Sequence, residues 1–154
     1  MEIKELKKRS NIAENKKLIS AFTQYNELLK ELKTKELSDQ LIMSINMKID
    51  DINFISGSEK EWGKQIRKSQ SSILSLLEKE LKLVTKNHYR NTWLALGMAA
   101  FGIPIGVAFG AILGNMGFLG IGLPIGMAVG IGIGTKMDQK AFQEGRQIDL
   151  EIKS

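Results

Sequence analysis

Residues able to do covalent or metal chemistry are scarce in this 154-residue chain, which has one histidine, His88, and no cysteine. Without cysteine there is no disulfide, thiolate metal site or thiol nucleophile, and a single imidazole starves zinc sites and nucleophile–base triads of ligands and bases. No catalytic residue, metal site or cofactor is expected, and a non-enzymatic protein is the reading. The residues whose type and spacing carry information are glycines. Twelve of the 15 lie between Gly97 and Gly134, inside a run of 45 residues, Asn91 to Thr135, that holds no Asp, Glu, Lys, Arg or His.

Within that run Gly102, Gly106, Gly110 and Gly114 recur at every fourth position, and Gly122, Gly126, Gly130 and Gly134 repeat the pattern 20 residues later. GIPIGVAFGAILG and GLPIGMAVGIGIG match at seven of 13 positions, including Pro104 with Pro124. A residue at every fourth position drifts slowly around an α-helix, so each set makes a stripe on one face. Small residues at this spacing let backbones approach closely and gain dispersion and Cα–H···O contacts, the chemistry of helix association in lipid. In water the eight glycines would cost on the order of 8 kcal/mol of helix propensity relative to alanine. The chemistry is therefore packing.

The elements that must position these stripes follow from length. A hydrocarbon core about 30 Å thick takes roughly 20 helical residues, so the uncharged run accommodates two spans, expected at about 93–113 and 118–135, joined by a turn at Gly114-Asn115-Met116-Gly117. Nine Leu, Ile, Val or Phe in the first span and eight in the second each favour insertion by about 0.3 to 0.6 kcal/mol. The competing reading, a hairpin buried in a water-soluble protein, requires the other 109 residues to cover it on all sides. Counted from the turn, only half of each stripe overlaps its partner, so Gly130 and Gly134 are expected to pack against another subunit in a homo-oligomer. Pro104 is expected to kink the first span, and Pro124 to sit in the first turn of the second. With no ionisable residue in either span, proton relays and midplane ion sites have no side chains to use. Lys86, Arg90, Lys136 and Lys140 flank the spans while the turn is uncharged, which places both termini in the cytoplasm; Trp93, Arg90 and Lys136 are the expected interface residues. Met1 to Asn11 carries charges where a signal peptide needs an apolar core, so no cleavable secretory segment is expected.

Residues 1–90 carry 18 Lys or Arg against 13 Asp or Glu, the whole of the net charge of +5, whereas the tail 136–154 balances at four of each. Leu18, Phe22, Tyr25, Leu29 and Leu32 mark one amphipathic helix, and Ile42, Ile45, Ile49 and Ile52 a second, although Ile45, Met47 and Ile49 also alternate as a strand would. Ser58 and Glu61 have capping-box spacing ahead of a third helix, whose face Ile66, Ile73, Leu77, Leu81, Val84 and His88 predicts a run unbroken into the first span. Such helices form a small bundle or a coiled coil, with a protein partner as a further use of their stripes. Lys4, Lys7, Lys8, Arg9, Lys16 and Lys17 read as a solvated helix face, with anionic lipid the alternative; nucleic acid is not expected, because acids interleave the bases. Helix continues to Gly145, and beyond it Ile148, Leu150 and Ile152 alternate as in a strand able to join a partner sheet.

The segment Tyr89 to Gln147, with its paired GxPIGxAxG blocks, the GNMGFLGIGLPIGM connection and the trailing KMDQKAFQEGRQ, resembles the C-terminal module of bacterial glycine-zipper membrane proteins. That resemblance implies a self-associating two-helix membrane hairpin in a bacterial inner membrane, and some such proteins form pores or act as bacteriocins. The expected protein is all-α: an N-terminal cytoplasmic helical bundle or coiled coil, then a transmembrane glycine-zipper hairpin. Its expected role is a self-associating membrane scaffold or anchor with lipid as partner; the alternative is an oligomeric pore or membrane-perturbing effector.

Overall fold

The structure, a computed structural model, describes residues 1–9 and 15–152. These residues are all-α apart from two strands of two residues each, β1 (Val84–Thr85) and β2 (Gln147–Ile148), which pair. It divides into two compact units, one of Met1–Leu83 with Ile148–Ser154 and one of Val84–Gln147.

The first unit contains α1 (Lys16–Lys33), α2 (Asp39–Phe54) and α3 (Glu59–Leu81). Each begins at a side-chain cap that satisfies an otherwise orphaned N–H. Asn15 accepts from the Leu18 N–H and Ser38 from the Leu41 N–H, both at 3.3 Å. Ser58 and Glu61 form the expected capping box, and the hydrogen bonds from the Ser58 backbone and hydroxyl hold the Glu61 carboxyl below its ordinary range. The stripe Ile42, Ile45, Ile49, Ile52 is buried on a helix, so the strand alternative over Ile45–Ile49 is not taken. Around Trp62, stacked on Phe22 at 5.9 Å, these helices bury Tyr25, Leu28, Leu32, Ile66, Ile73 and Leu77. The Tyr25 hydroxyl meets Ser69 Oγ at 2.9 Å, and burial pushes its phenol up to about 12.

Three expectations change here. First, α3 does not run into the hairpin. It stops at Leu81 because Lys82 adopts a left-handed conformation (φ 56°), and β1 and a second left-handed residue, Asn87 (φ 58°), precede the next helix. Second, the basic N-terminus is not a helix face. Residues 1–9 run non-helically along α2 with a period of three, Glu2-Ile3-Lys4 then Glu5-Leu6-Lys7, which buries Ile3 and Leu6. The Asn46 amide accepts from the Lys4 N–H at 2.8 Å and donates to the Glu2 carbonyl at 2.9 Å; Asn53 does the same for Lys7 and Glu5 at 2.9 and 3.2 Å. Seven helical residues rise about 10.5 Å and three extended residues span about 10 Å, so the two asparagines match the arm's repeat. The charges are engaged as well: Lys4 pairs with Asp50 at 2.6 Å, and the Arg9 guanidinium donates to the carbonyls of Ile55 and Gly57 while lying 5.4 Å from the Trp62 ring centroid. Third, the alternating tail does not extend a sheet beyond β2; it sends Ile148 and Leu150 into this unit's own core.

The second unit is a helical hairpin. Its first arm is α4 (His88–Gly97), a π-helical turn (Met98–Gly102) and α5 (Ile103–Ile112); its second is a 3₁₀ turn (Met116–Phe118) leading into α6 (Leu119–Gln143). The arms His88–Ile112 and Met116–Gln143, of 25 and 28 residues, are both long and apolar enough to cross a membrane. Leu113 to Asn115 make the turn: Gly114 takes the left-handed conformation (φ +64°) and the Asn115 N–H donates back to the Gly110 carbonyl at 3.0 Å. Gly145 (φ +67°) ends α6 in the same way, with the Arg146 N–H on the Ala141 carbonyl at 2.8 Å.

Candidate functional site

The feature that sets this chain apart is the seam between the two arms. Its buried residues from Asn91 to Thr135 are Gly97, Gly102, Gly106 and Gly110 on one arm and Gly122, Gly126, Gly130 and Gly134 on the other, and nothing else. Backbone lies on backbone. A β-carbon on Gly126 would sit 2.5 Å from both the Gly97 carbonyl oxygen and the Gly102 nitrogen; one on Gly106 would sit 2.5 Å from the Leu119 carbonyl oxygen. On Gly122 it would overlap the Gly102 carbonyl and the Gly106 backbone, and on Gly130 the Trp93 carbonyl. The large side chains face outward, with Leu96, Phe101, Ile103, Val107, Phe109, Ile121, Leu123, Ile125 and Val129 all exposed.

Two of the expected stripe roles differ from the sequence reading. Gly130 and Gly134 do not lack partners. Gly130 faces Trp93 and Gly97, and a β-carbon on Gly134 would lie 2.5 Å from Arg90 Cα and 2.6 Å from the Tyr89 carbonyl oxygen. The first arm starts at His88, five residues before the expected span, and this extra length supplies the missing contacts. Gly114, in contrast, packs against nothing: no atom lies within 4 Å of its β position, and its role is the left-handed turn.

Gly97 joins the seam although it stands five residues before Gly102, not four. On a regular α-helix five residues overshoot one turn by about 140° and would carry Gly97 off the stripe. The π turn absorbs the extra residue, the Ile103 N–H donating to the Met98 carbonyl across five positions. Pro104 gives the cause. It has no N–H for the Ala100 carbonyl, and its ring would collide with that carbonyl in a straight helix, so the backbone widens immediately before it. Pro124 lies in the sixth position of α6, within the helix rather than in its first turn, and α6 continues through it.

At the open end of the hairpin the four-residue series continues from Gly134 to Asp138, which is only 8% exposed. Its two carboxylate oxygens accept from the Tyr89 N–H at 3.0 Å and the Arg90 N–H at 2.9 Å. Asn87 gives α4 no side-chain cap, so a carboxylate on α6 caps the opposite helix and its charge meets the positive end of the α4 dipole. Around this end Trp93 is half-buried while Arg90 and Lys136 are exposed, and His88 packs edge-on against Tyr89 at 5.0 Å.

Sequence reasoning missed Gly97 and Asp138. The signals were present: a glycine five residues before a stripe whose first two members flank a proline, and an acid four residues beyond Gly134. Among the described residues no group of three His, Cys, Asp or Glu is placed to hold a metal ion. No protein-family profile, curated protein or solved structure matches this chain.

Proposed function

We propose that this chain is a non-enzymatic integral membrane protein: the hairpin crosses the bilayer twice and anchors the N-terminal helical unit on the cytoplasmic side of a bacterial inner membrane. The observation that carries this reading is the inside-out hairpin, with glycine at its seam and exposed Leu, Ile, Val and Phe around it. In water such an arrangement exposes the apolar surface a fold normally hides, and the close backbone contact is the packing that lipid leaves available. A 25-residue arm extends about 37 Å, enough for a core of about 30 Å. Lys86, Arg90, Lys136 and Lys140 border the open end, and the turn carries no charge, which favours cytoplasmic termini.

Self-association belongs to a different face from the seam. Gly120, Pro124, Ala128 and Gly132 also stand four residues apart on α6; all four are exposed, and no atom lies within 4 Å of the β positions of Gly120 or Gly132. This second small-residue stripe supports a scaffold in which hairpins pack through α6. In liposomes, crosslinking of the full-length protein is expected to yield oligomers without release of trapped dye, and Gly132→Leu is expected to weaken association at least tenfold. Monomer at every protein density reduces the scaffold to an anchor, and dye release favours the oligomeric pore.

A further inference from the structure

The N-terminal unit is discontinuous: Met1–Leu83 is completed by Ile148–Ser154, with the entire hairpin between them. The returning segment is an integral part of the core. Ile148 is among the largest fully buried side chains, Leu150 is 3% exposed, and Ile152 packs partly buried against the same cluster as Tyr25, Ile45 and Trp62. The Leu150 N–H donates to the Ile148 carbonyl at 2.7 Å, closing a tight turn between the two buried side chains. Where the hairpin begins and ends, the Val84 N–H donates to the Arg146 carbonyl at 2.9 Å.

We propose that residues 148–152 are a clasp that makes closure of the N-terminal core conditional on the chain having crossed the membrane twice. The inference rests on the membrane reading above. If the second arm does not cross as a helix, the clasp cannot thread back as extended chain, because unpaired backbone N–H and C=O groups have no partner in hydrocarbon. A chain whose second arm fails to cross strands Ile148 and Leu150 on the far face, and α1–α3 then lack side chains that their core is built around. Correct topology is thereby converted into stability of the cytoplasmic unit, and a mis-inserted chain presents an open core to proteases on the side where they act.

The test uses the full-length protein in native membranes with two variants. Ile148→Asp/Leu150→Asp removes the clasp while leaving both arms unchanged; deletion of residues 119–135 leaves the clasp sequence intact but delivers it to the other face. Protease added from the cytoplasmic side is expected to cut the N-terminal unit at least tenfold faster in both variants than in the unaltered chain, while the protein stays in the carbonate-resistant membrane fraction. Ile148→Val/Leu150→Ile is expected to restore near-normal protection. An N-terminal unit equally protected in either disruptive variant overturns the clasp. Extraction of the unaltered chain by carbonate overturns instead the membrane reading.

Discussion

Gly126→Leu is expected to pry the hairpin apart, whereas Gly132→Leu, six residues along the same helix, is expected to leave it closed. The difference follows from what each missing side chain would meet. At Gly126 a β-carbon collides with the Gly97 carbonyl oxygen and the Gly102 nitrogen on the facing arm, which are backbone atoms and cannot swing aside; at Gly132 there is open space. Overpacking a core with flexible neighbours costs about 1 to 3 kcal/mol, and a collision with backbone belongs at or above the top of that range. The arms must move from direct backbone contact toward the 8 to 10 Å separation of helices with ordinary side chains between them. Spin labels on the exposed residues Leu96 and Val129 are expected to report a longer and broader interarm distance for Gly126→Leu and an unchanged one for Gly132→Leu. Equal behaviour of the two variants contradicts the seam.

Asp138→Ala is expected to loosen the open end of the same hairpin. It leaves the Tyr89 and Arg90 N–H groups without their acceptor, and the half-buried Tyr89 and nearly buried Asp138 leave little room for water to replace it. Two orphaned donors at roughly 1 to 2 kcal/mol each, with a lost charge–dipole attraction of about 0.3 to 1 kcal/mol, put the cost at about 2 to 5 kcal/mol. Amide exchange at Tyr89 and Arg90 is expected to accelerate at least tenfold. Asp138→Asn, which keeps one acceptor oxygen, is expected to fall between; exchange unchanged in Asp138→Ala contradicts the cap.

Much of this architecture was legible because short-range rules dominate it. The stripe of Leu18 to Leu32, the Ser58–Glu61 box and the turn around Gly114 each declare themselves within a few residues, whereas Ile42 to Ile52 fits a helix and, in part, a strand. What escaped depends on longer-range or irregular geometry. A strict 3.6-residue period cannot place Gly97 on the seam, because the π turn before Pro104 changes the period locally. Gly130 and Gly134 lack partners only if the first arm begins near Trp93; it begins at His88, where a carboxylate 50 residues later in the chain supplies the cap. The face from Ile66 to His88 is helically spaced, yet it is broken at Lys82, a residue type that does not announce left-handed backbone, and again at Asn87, a type that tolerates it. The N-terminal arm was hidden in another way: its charges read as a helix face, while its period of three only has meaning beside Asn46 and Asn53 of α2.

The proposed immersion of both arms' outward apolar faces in lipid is directly measurable, because the sequence contains no cysteine. Single cysteines at Phe101, Val107, Leu123 and Val129, with reference positions at the exposed Met43 and Phe54 of the N-terminal unit, are to be treated with a membrane-impermeant maleimide in vesicles opened to expose both faces. The four arm positions are expected to stay unlabelled until detergent is added, while the two reference positions label promptly. Prompt labelling of the arm positions in intact bilayers contradicts the account, because side chains that meet water there cannot belong to a hairpin immersed in hydrocarbon.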